Sequence, residues 1–191
     1  MAGSISRTII QAGRLLRSRD ARLDLIHDWR RQLAGEPALP ERPIGCVLVL
    51  CHGNICRSPF AAAYLAQRSP EIDVRSGGFA AGEAAPADPT AVRVAARFGH
   101  DLSQHRSRPL GPADLEEPDL VLVMEASQVA AFRARAPALA ARVYRLGDFL
   151  TTRPFVISDP WGCSEAVFDR SFAQIATALD RLTERLKDRP T

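Results

Sequence analysis

The sequence predicts an α/β fold: a doubly wound, four-stranded parallel sheet flanked by helices, with one further helix on its N-terminal side. From residue 45 onward, short apolar runs alternate with longer helical segments, which is the order of a parallel sheet with crossover helices. The runs are almost continuously apolar and too short to be helices, as expected for strands buried on both faces. A chain of 191 residues with 46% hydrophobic content can bury one such core.

The predicted elements of the main domain form four strand–helix pairs. The strands are predicted at residues 46–50, 72–76, 119–124 and 143–146, and the helices that follow them at 59–66, 88–98, 125–136 and 164–186. Ser58 is a candidate N-cap of the first of these helices, with Pro59 at its first position. Residues 147–162 are predicted to be a loop between the last strand and the last helix.

Residues 1–44 are predicted to be a helical extension and a Pro-rich linker, separate from the domain at 45–191. In residues 4–34, apolar side chains recur at helical spacing on one face, while the opposite face carries charges of both signs. We expect this helix to pack on the main domain or on a second copy of itself, as a homodimer through residues 4–34. The mixed polar face argues against contact with a membrane.

The charge, the apolar runs and the cysteine content argue against several classes of protein. The net charge of +3, from 25 basic and 22 acidic residues, is too balanced to indicate a nucleic-acid partner. No apolar run approaches the length of a transmembrane helix, and no secretory signal is evident. Four cysteines do not indicate a disulfide scaffold in a chain of this size. We therefore expect a cytoplasmic protein whose thiols stay reduced.

The most informative stretch is Cys51-His52-Gly53-Asn54-Ile55-Cys56-Arg57-Ser58-Pro59, between the first predicted strand and its helix. A tight loop there directs backbone N–H groups and a helix N-terminus at one point, which favours an anion. Cys51 adds a nucleophile whose thiol pKa a helix N-terminus and a nearby Arg can lower, and the planar fork of Arg57 suits phosphate. The loop is therefore predicted to bind and attack a phosphoryl group.

Three further loop residues have predicted supporting roles. Gly53 is expected to allow close backbone approach and unusual dihedrals, and Asn54 to adopt left-handed geometry and fix the loop through its side chain. Ser58 is expected to hydrogen-bond the Cys51 thiolate.

The proton for the leaving group must come from elsewhere, and Asp159 is the best candidate. The competing carboxylates are Glu125, Asp148 and Asp119.

The nine-residue loop resembles the signature loop of the low-molecular-weight protein tyrosine phosphatases, and Asp159-Pro160 resembles their general-acid motif. The resemblance covers residues 45–187. It implies hydrolysis of protein phosphotyrosine through a phosphocysteine intermediate, with Cys51 as nucleophile, Arg57 as phosphate clamp and Asp159 as general acid and base. It implies no metal or other cofactor. The implied partner is a phosphotyrosine-containing protein, with a bacterial tyrosine kinase as one candidate.

The resemblance also assigns supporting residues. The implied phosphate- and substrate-binding set is His52, Gly53, Asn54, Ile55, Cys56, Ser58 and Trp161. Ser76 and His105 match positions that hydrogen-bond the loop, and Cys56 matches a cysteine that forms a reversible disulfide with the nucleophile. Two departures stand out: His52 replaces a small or aliphatic residue, and residues 79–85 lack the Trp or Tyr that usually forms one wall of the substrate cleft. Trp161 is then the remaining stacking wall for a phenyl ring.

Alternative functions remain open at this point. On the same scaffold, phosphoarginine phosphatases favour Thr where Ile55 stands, and arsenate reductases need further cysteines that residues 124–136 lack. A weakly active redox sensor or phosphate-binding module would use Cys51 and Cys56 without turnover. The presence of Asp159 argues against that last function, because binding alone needs no proton donor.

Overall fold

The computed structural model describes residues 19–116 and 118–188. Its centre is a four-stranded parallel sheet, as the sequence predicted, and the strands lie in the order β2-β1-β3-β4. The strands are β1 (Cys46–Cys51), β2 (Asp73–Gly78), β3 (Leu120–Val123) and β4 (Val143–Arg145). The order reverses between β1 and β3, so that the loops after these two strands leave the same edge of the sheet in opposite directions.

Five α-helices surround the sheet in the described part of the chain. They are α1 (Arg19–Ala34), α2 (Arg57–Arg68), α3 (Pro89–Arg97), α4 (Ala126–Arg135) and α5 (Glu165–Lys187). One apolar core lies between the sheet and α2, α3 and α5, and a second lies on the α4 side. All four residues of β3 are buried, because both faces of the sheet are covered. None of the described helices is long and apolar enough to cross a membrane.

The start of α2 differs from the prediction. The helix begins at Arg57 with Cys56 as its N-cap, so Ser58 as N-cap was wrong. The Ser58 hydroxyl faces inward instead, where it contacts Cys51 and Asn54. By contrast, α3 begins as predicted, with the Asp88 carboxylate accepting hydrogen bonds from the N–H groups of Thr90 and Ala91.

The predicted N-terminal helix is present from Arg19 to Ala34, and its part at 4–18 lies outside the described residues. It packs on the main domain, but through its acidic face. Asp28 is 5% exposed, whereas the apolar side chains on the other side, Ile26, Trp29 and Leu33, are 51%, 57% and 81% exposed. The cause is a buried guanidinium at the end of β4 that only carboxylates can neutralise.

That guanidinium belongs to Arg145, whose side chain is fully buried. Its Nη2 donates to Asp28 at 2.6 Å and to Asp148 at 2.9 Å, its Nε donates to Asp148 at 3.1 Å, and its Nη1 lies 3.4 Å from Asp24. The second oxygen of Asp28 accepts the N–H of Phe155 at 3.3 Å. These contacts join α1 to β4 and to the loop that precedes α5.

The segment after α1 is also attached to the domain. Glu36 pairs with Arg181 and Arg185 on α5, at 3.0 and 3.2 Å. The Tyr144 hydroxyl on β4 donates to the carbonyl of Ala38 at 3.0 Å. The Pro-rich stretch therefore crosses the ends of two core elements before the chain enters β1.

Candidate active site

The loop after β1 is held in one conformation by Asn54. This residue has a left-handed backbone, with φ of 52°, as predicted. Its side-chain amide donates to Ser58 and Ser76 at 2.9 and 3.0 Å, and its side-chain oxygen accepts the N–H of Arg108 at 3.0 Å. The carbonyl of Asn54 lies 2.7 Å from Nε2 of His105. Ser76 and His105 thus lie directly against the loop.

The neutral ring of His105 suits this contact. Burial lowers the pKa of His105, and the hydrogen bond to Asn54 opposes that shift only in part. A neutral ring with its proton on Nε2 can donate to the Asn54 carbonyl. The loop is therefore supported on this side without a second positive charge beside Arg57.

Gly78, rather than Gly53, is the glycine that the loop geometry requires. A Cβ at Gly78 would lie 2.7 Å from the carbonyl oxygen of His52 and 3.0 Å from the nitrogen of Asn54. At Gly53 φ is not positive, and a Cβ would make only an ordinary contact of 3.6 Å with Ile55. Gly53 therefore does not use the left-handed region that glycine favours.

Cys51 lies at the base of the loop and is 3% exposed. Its Sγ is 3.0 Å from the Ser58 hydroxyl and accepts the N–H of Asn54 at 3.3 Å. Within the described chain, the other loop N–H groups donate to no protein atom; they belong to His52, Gly53, Ile55 and Cys56. The sulfur is thus bordered by several donors with unused capacity, which is the arrangement that an oxyanion requires.

Arg57 is buried at the other end of the loop and reaches back toward Cys51. One terminal nitrogen bonds Glu125 and the carbonyl of Ile157, and the other lies 2.7 Å from Asp159. Its Nε is buried and has no partner among the described residues. Burial alone would lower the pKa of Arg57, but the negative charges of Glu125 and Asp159 raise it instead, so the group stays cationic.

Asp159 is the predicted proton donor that the fold brings to the loop. Its side chain is 43% exposed, and its second oxygen accepts the N–H of Trp161 at 3.2 Å. Asp119 is excluded, because it accepts the N–H groups of Gly45 and Cys46 at the opposite edge of the sheet. Asp148 is bound to Arg145. Glu125 is close, but it holds Arg57.

The contact between Glu125 and Arg57 was not predicted. Glu125 lies two residues beyond the end of β3, at the N-cap of α4, and β3 lies beside β1 where the strand order reverses. A carboxylate after one central strand and a guanidinium after the other meet at this edge, since the carboxyl ends of parallel strands coincide. The position of Glu125 directly after a buried strand was the signal in the sequence.

A cavity of about 230 Å³ opens above the sulfur. Its lining includes Cys51, His52, Gly53, Ile55, Cys56, Arg57, Asp159 and Trp161. Trp161 is 66% exposed, so one of its faces is free to pack against a flat group that enters the cavity.

Comparison with known proteins gives the family. The sequence profile described as "Low molecular weight phosphotyrosine protein phosphatase" matches residues 46–190. The chain belongs to this family. A probable low-molecular-weight protein-tyrosine-phosphatase, EpsP of Ralstonia nicotianae, is 38% identical over 144 residues, covering 75% of this chain and 97% of that protein.

Solved structures of family members have the same fold. The tyrosine phosphatase Wzb from Escherichia coli K30, in complex with sulphate, superposes with a TM-score of 0.71 at 33% identity, covering 75% of this chain and 99% of that one. The arginine phosphatase YwlE from Geobacillus stearothermophilus gives a TM-score of 0.70 at 31% identity, covering 76% and 94%. The low-molecular-weight phosphatase family thus includes members named for two different phosphoryl substrates.

Two features of this family member concern α1, which lies outside the matched residues, and Cys56, which lies within them. α1 and the segment after it precede the matched residues, so the contacts of Asp24 and Asp28 are additions to the family fold. Cys56, inside the loop, is buried, and burial raises the pKa of its thiol. No group of three or more His, Cys, Asp or Glu in residues 19–116 and 118–188 is arranged to hold a metal ion.

Proposed function

We propose that this chain hydrolyses phosphotyrosine in proteins through a phosphocysteine intermediate. The observation that carries the proposal is the set of unused donors around one sulfur: four loop N–H groups and Nε of Arg57 border Cys51. Three phosphoryl oxygens need such donors, and a tetrahedral anion seated among them places its phosphorus in line with the sulfur.

In the first step, the Cys51 thiolate attacks phosphorus, and an S–P bond forms while the bond from phosphorus to the tyrosyl oxygen breaks. Asp159 donates its proton to that departing oxygen. The phosphoryl group also competes for Arg57, which loosens the ion pair between Arg57 and Asp159 and places the carboxyl beside an anion.

In the second step, the Asp159 carboxylate removes a proton from water, and the water oxygen attacks phosphorus. The S–P bond breaks and Cys51 leaves as thiolate, stabilised by the Ser58 hydroxyl and the N–H of Asn54. The raised pKa of Cys56 keeps that thiol protonated, so Cys51 alone of the two attacks phosphate. Cys56 then remains available to form a disulfide with an oxidised Cys51.

A phosphoarginine substrate is the alternative with specific support, because YwlE is as similar in fold as Wzb. Ile55 and Trp161 in the cavity wall favour a phenyl ring over a guanidinium. The test compares turnover of phosphotyrosine and phosphoarginine peptides by wild type, Cys51→Ser and Asp159→Ala. We expect phosphotyrosine to be preferred and Cys51→Ser to be inactive. Turnover of neither substrate by wild type, or activity in Cys51→Ser, would refute the proposal.

Asp159→Ala separates an enzyme from a module that only binds phosphate. Removing a general acid typically lowers the rate by about 10²- to 10⁴-fold. The loss should be greater for an alkyl phosphate than for p-nitrophenyl phosphate, because nitrophenolate needs little protonation. Equal loss for both substrates would argue that Asp159 acts in binding alone.

The proposed setting is the cytoplasm of a bacterium, with a phosphorylated protein such as a tyrosine kinase as substrate. All four cysteines are free, and the proposed nucleophile requires a reduced thiol. EpsP, from a bacterium, is a relative of the same family.

The proposed assembly is a homodimer through the exposed apolar side of α1. Ile26, Trp29 and Leu33 recur at helical spacing on one side of this helix, and all are more than half exposed. Light scattering of the full chain should give twice the mass of the double variant Ile26→Glu, Leu33→Glu. Equal masses would refute the proposed dimer and would not bear on the proposed activity.

A further inference from the structure

A second groove adjoins the candidate active site. It has a volume of about 590 Å³ and lies between α1 and the segment that leads to Asp159. Asp159 lines both this groove and the cavity above Cys51, so the two spaces meet at the proposed proton donor. A peptide whose phosphotyrosine occupies the cavity can therefore place a neighbouring residue in the groove.

The walls of the groove combine apolar surface with carboxylates. Ala21 and Leu25 of α1 face Pro154 and Val156 across it. Its carboxylates are Asp20, Asp24, Asp28, Glu125 and Asp159. Their cationic partners are Arg57 and Arg145, so five negative charges face two positive ones and the net is −3.

Among these five carboxylates, Asp20 is the one whose negative charge is least neutralised by a neighbouring cation. It is exposed at the start of α1, and no ion pair to it is present in residues 19–116 and 118–188. Asp24 is different, because it accepts the N–H of Ala126 at 2.7 Å and lies near Arg145. Asp20 is therefore the residue whose charge is most available to a ligand.

We propose that this groove binds a Lys or Arg side chain close to the phosphotyrosine of the substrate protein. Such a side chain has an apolar stem, which fits between Leu25 and Val156, and a cationic head for the carboxylates. An acidic neighbour would meet repulsion, and a short polar one would leave the apolar walls uncovered. The proposal rests on the proposed phosphatase function and adds a specificity for basic substrates.

This specificity is a property of the extension. One wall of the groove consists of α1, and α1 precedes the residues that match the family. The region that matches the family supplies only Glu125 and the wall formed by residues 154–159. Removing the charge on α1 should therefore change the choice of peptide while the chemistry at Cys51 continues.

The test measures kcat/KM on three phosphotyrosine peptides that differ only in the residues flanking phosphotyrosine, which are Arg, Gln or Glu on both sides. Wild type should prefer the Arg peptide to the Gln peptide by roughly two- to fivefold, the range of an exposed ion pair. The Glu peptide should be the poorest. The preference should shrink as salt is raised from 50 to 500 mM, because exposed charges are screened.

Two variants of Asp20 and one matched control variant assign the preference to α1. Asp20→Lys should remove or invert the ratio of Arg to Gln peptide, and Asp20→Asn should reduce it. Glu71→Lys makes the same charge change at an exposed site before β2, at the far edge of the sheet, and should leave the ratio unchanged.

The outcomes are distinguishable. An equal rate on all three peptides, a preference for Glu, or a preference for Arg that persists in Asp20→Lys would each overturn the groove proposal. Lack of turnover on every peptide and on p-nitrophenyl phosphate would instead overturn the proposed function. A peptide flanked by Leu that equals the Arg peptide in both wild type and Asp20→Lys would show an apolar site and would also overturn the proposal.

Discussion

Arg57 and Arg145 are two buried arginines with similar surroundings. They differ in whether a nitrogen of the guanidinium still lacks a hydrogen-bond partner. Each is almost completely buried and contacts carboxylates from distant parts of the chain. Every nitrogen of Arg145 has a carboxylate partner, whereas Nε of Arg57 has none in the described chain. Arg145, whose nitrogens all have partners, joins structural elements. Arg57 has a free nitrogen beside free N–H groups and is suited to bind a ligand.

The largest expected effect comes from Arg57→Lys. Lysine keeps the charge near Glu125 and Asp159 but loses Nε and the planar fork. We expect kcat/KM for a phosphotyrosine peptide to fall by about 10²- to 10³-fold, as when one transition-state donor is removed. Arg145→Lys, made in parallel, should lose far less activity and more stability. Equal activity losses in the two variants would break the comparison.

The second effect concerns the anchoring of α1. In Asp28→Ala, Arg145 and the N–H of Phe155 lose an acceptor inside the protein. We expect α1 to detach with a loss of about 3 kcal/mol, the lower end of the cost of breaking a buried ion pair. The matched change Asp20→Ala, at an exposed carboxylate on the same helix, should cost under about 0.5 kcal/mol.

Trp29 can report that loss directly. The chain has two tryptophans, so in a Trp161→Phe background the fluorescence during urea unfolding comes from α1. Asp28→Ala should lower the urea midpoint of this signal, while Asp20→Ala should not. If both variants unfold alike, the carboxylates of α1 do not anchor it.

The smallest effect is a pH dependence on the Arg57 side of the comparison. Burial lowers the pKa of His105 from its ordinary value of 6.5, so the unfolded chain takes up this proton first as the pH falls. The contribution of His105 to the free energy of unfolding is fully present above pH 6.5. It is lost as the pH falls through the lower pKa of this residue in the folded protein. The stability advantage of wild type over His105→Gln should therefore shrink between pH 7.5 and pH 5. An advantage that stays constant or grows would contradict this sign.

The loop was predictable because its interactions are mostly local. Cys51, Asn54 and Ser58 lie within eight positions of one another, and a strand, a tight turn and a helix start fix their arrangement. Asp159 was predicted from its motif. Its contact with Arg57 depends on the loop after β4, whose course the sequence pattern did not reveal.

The orientation of α1 was not predictable from periodicity. The apolar repeat correctly indicated a helix, but the face that packs is set by Arg145, more than a hundred positions later in the chain. A charged residue at the end of a buried strand was the available signal, because such a group needs carboxylates from some other element. The same reasoning applies to Glu125 and Arg57, which meet across the point where the strand order reverses.

The ion pair between Arg57 and Asp159 means that the resting site already holds an anion of its own. A phosphoryl group that reaches this nitrogen of Arg57 would compete with the internal carboxylate, and departure of the product would let the carboxylate return. Binding is thus an exchange between two competitors for one cation, so each catalytic cycle begins and ends with the same internal counterion in place.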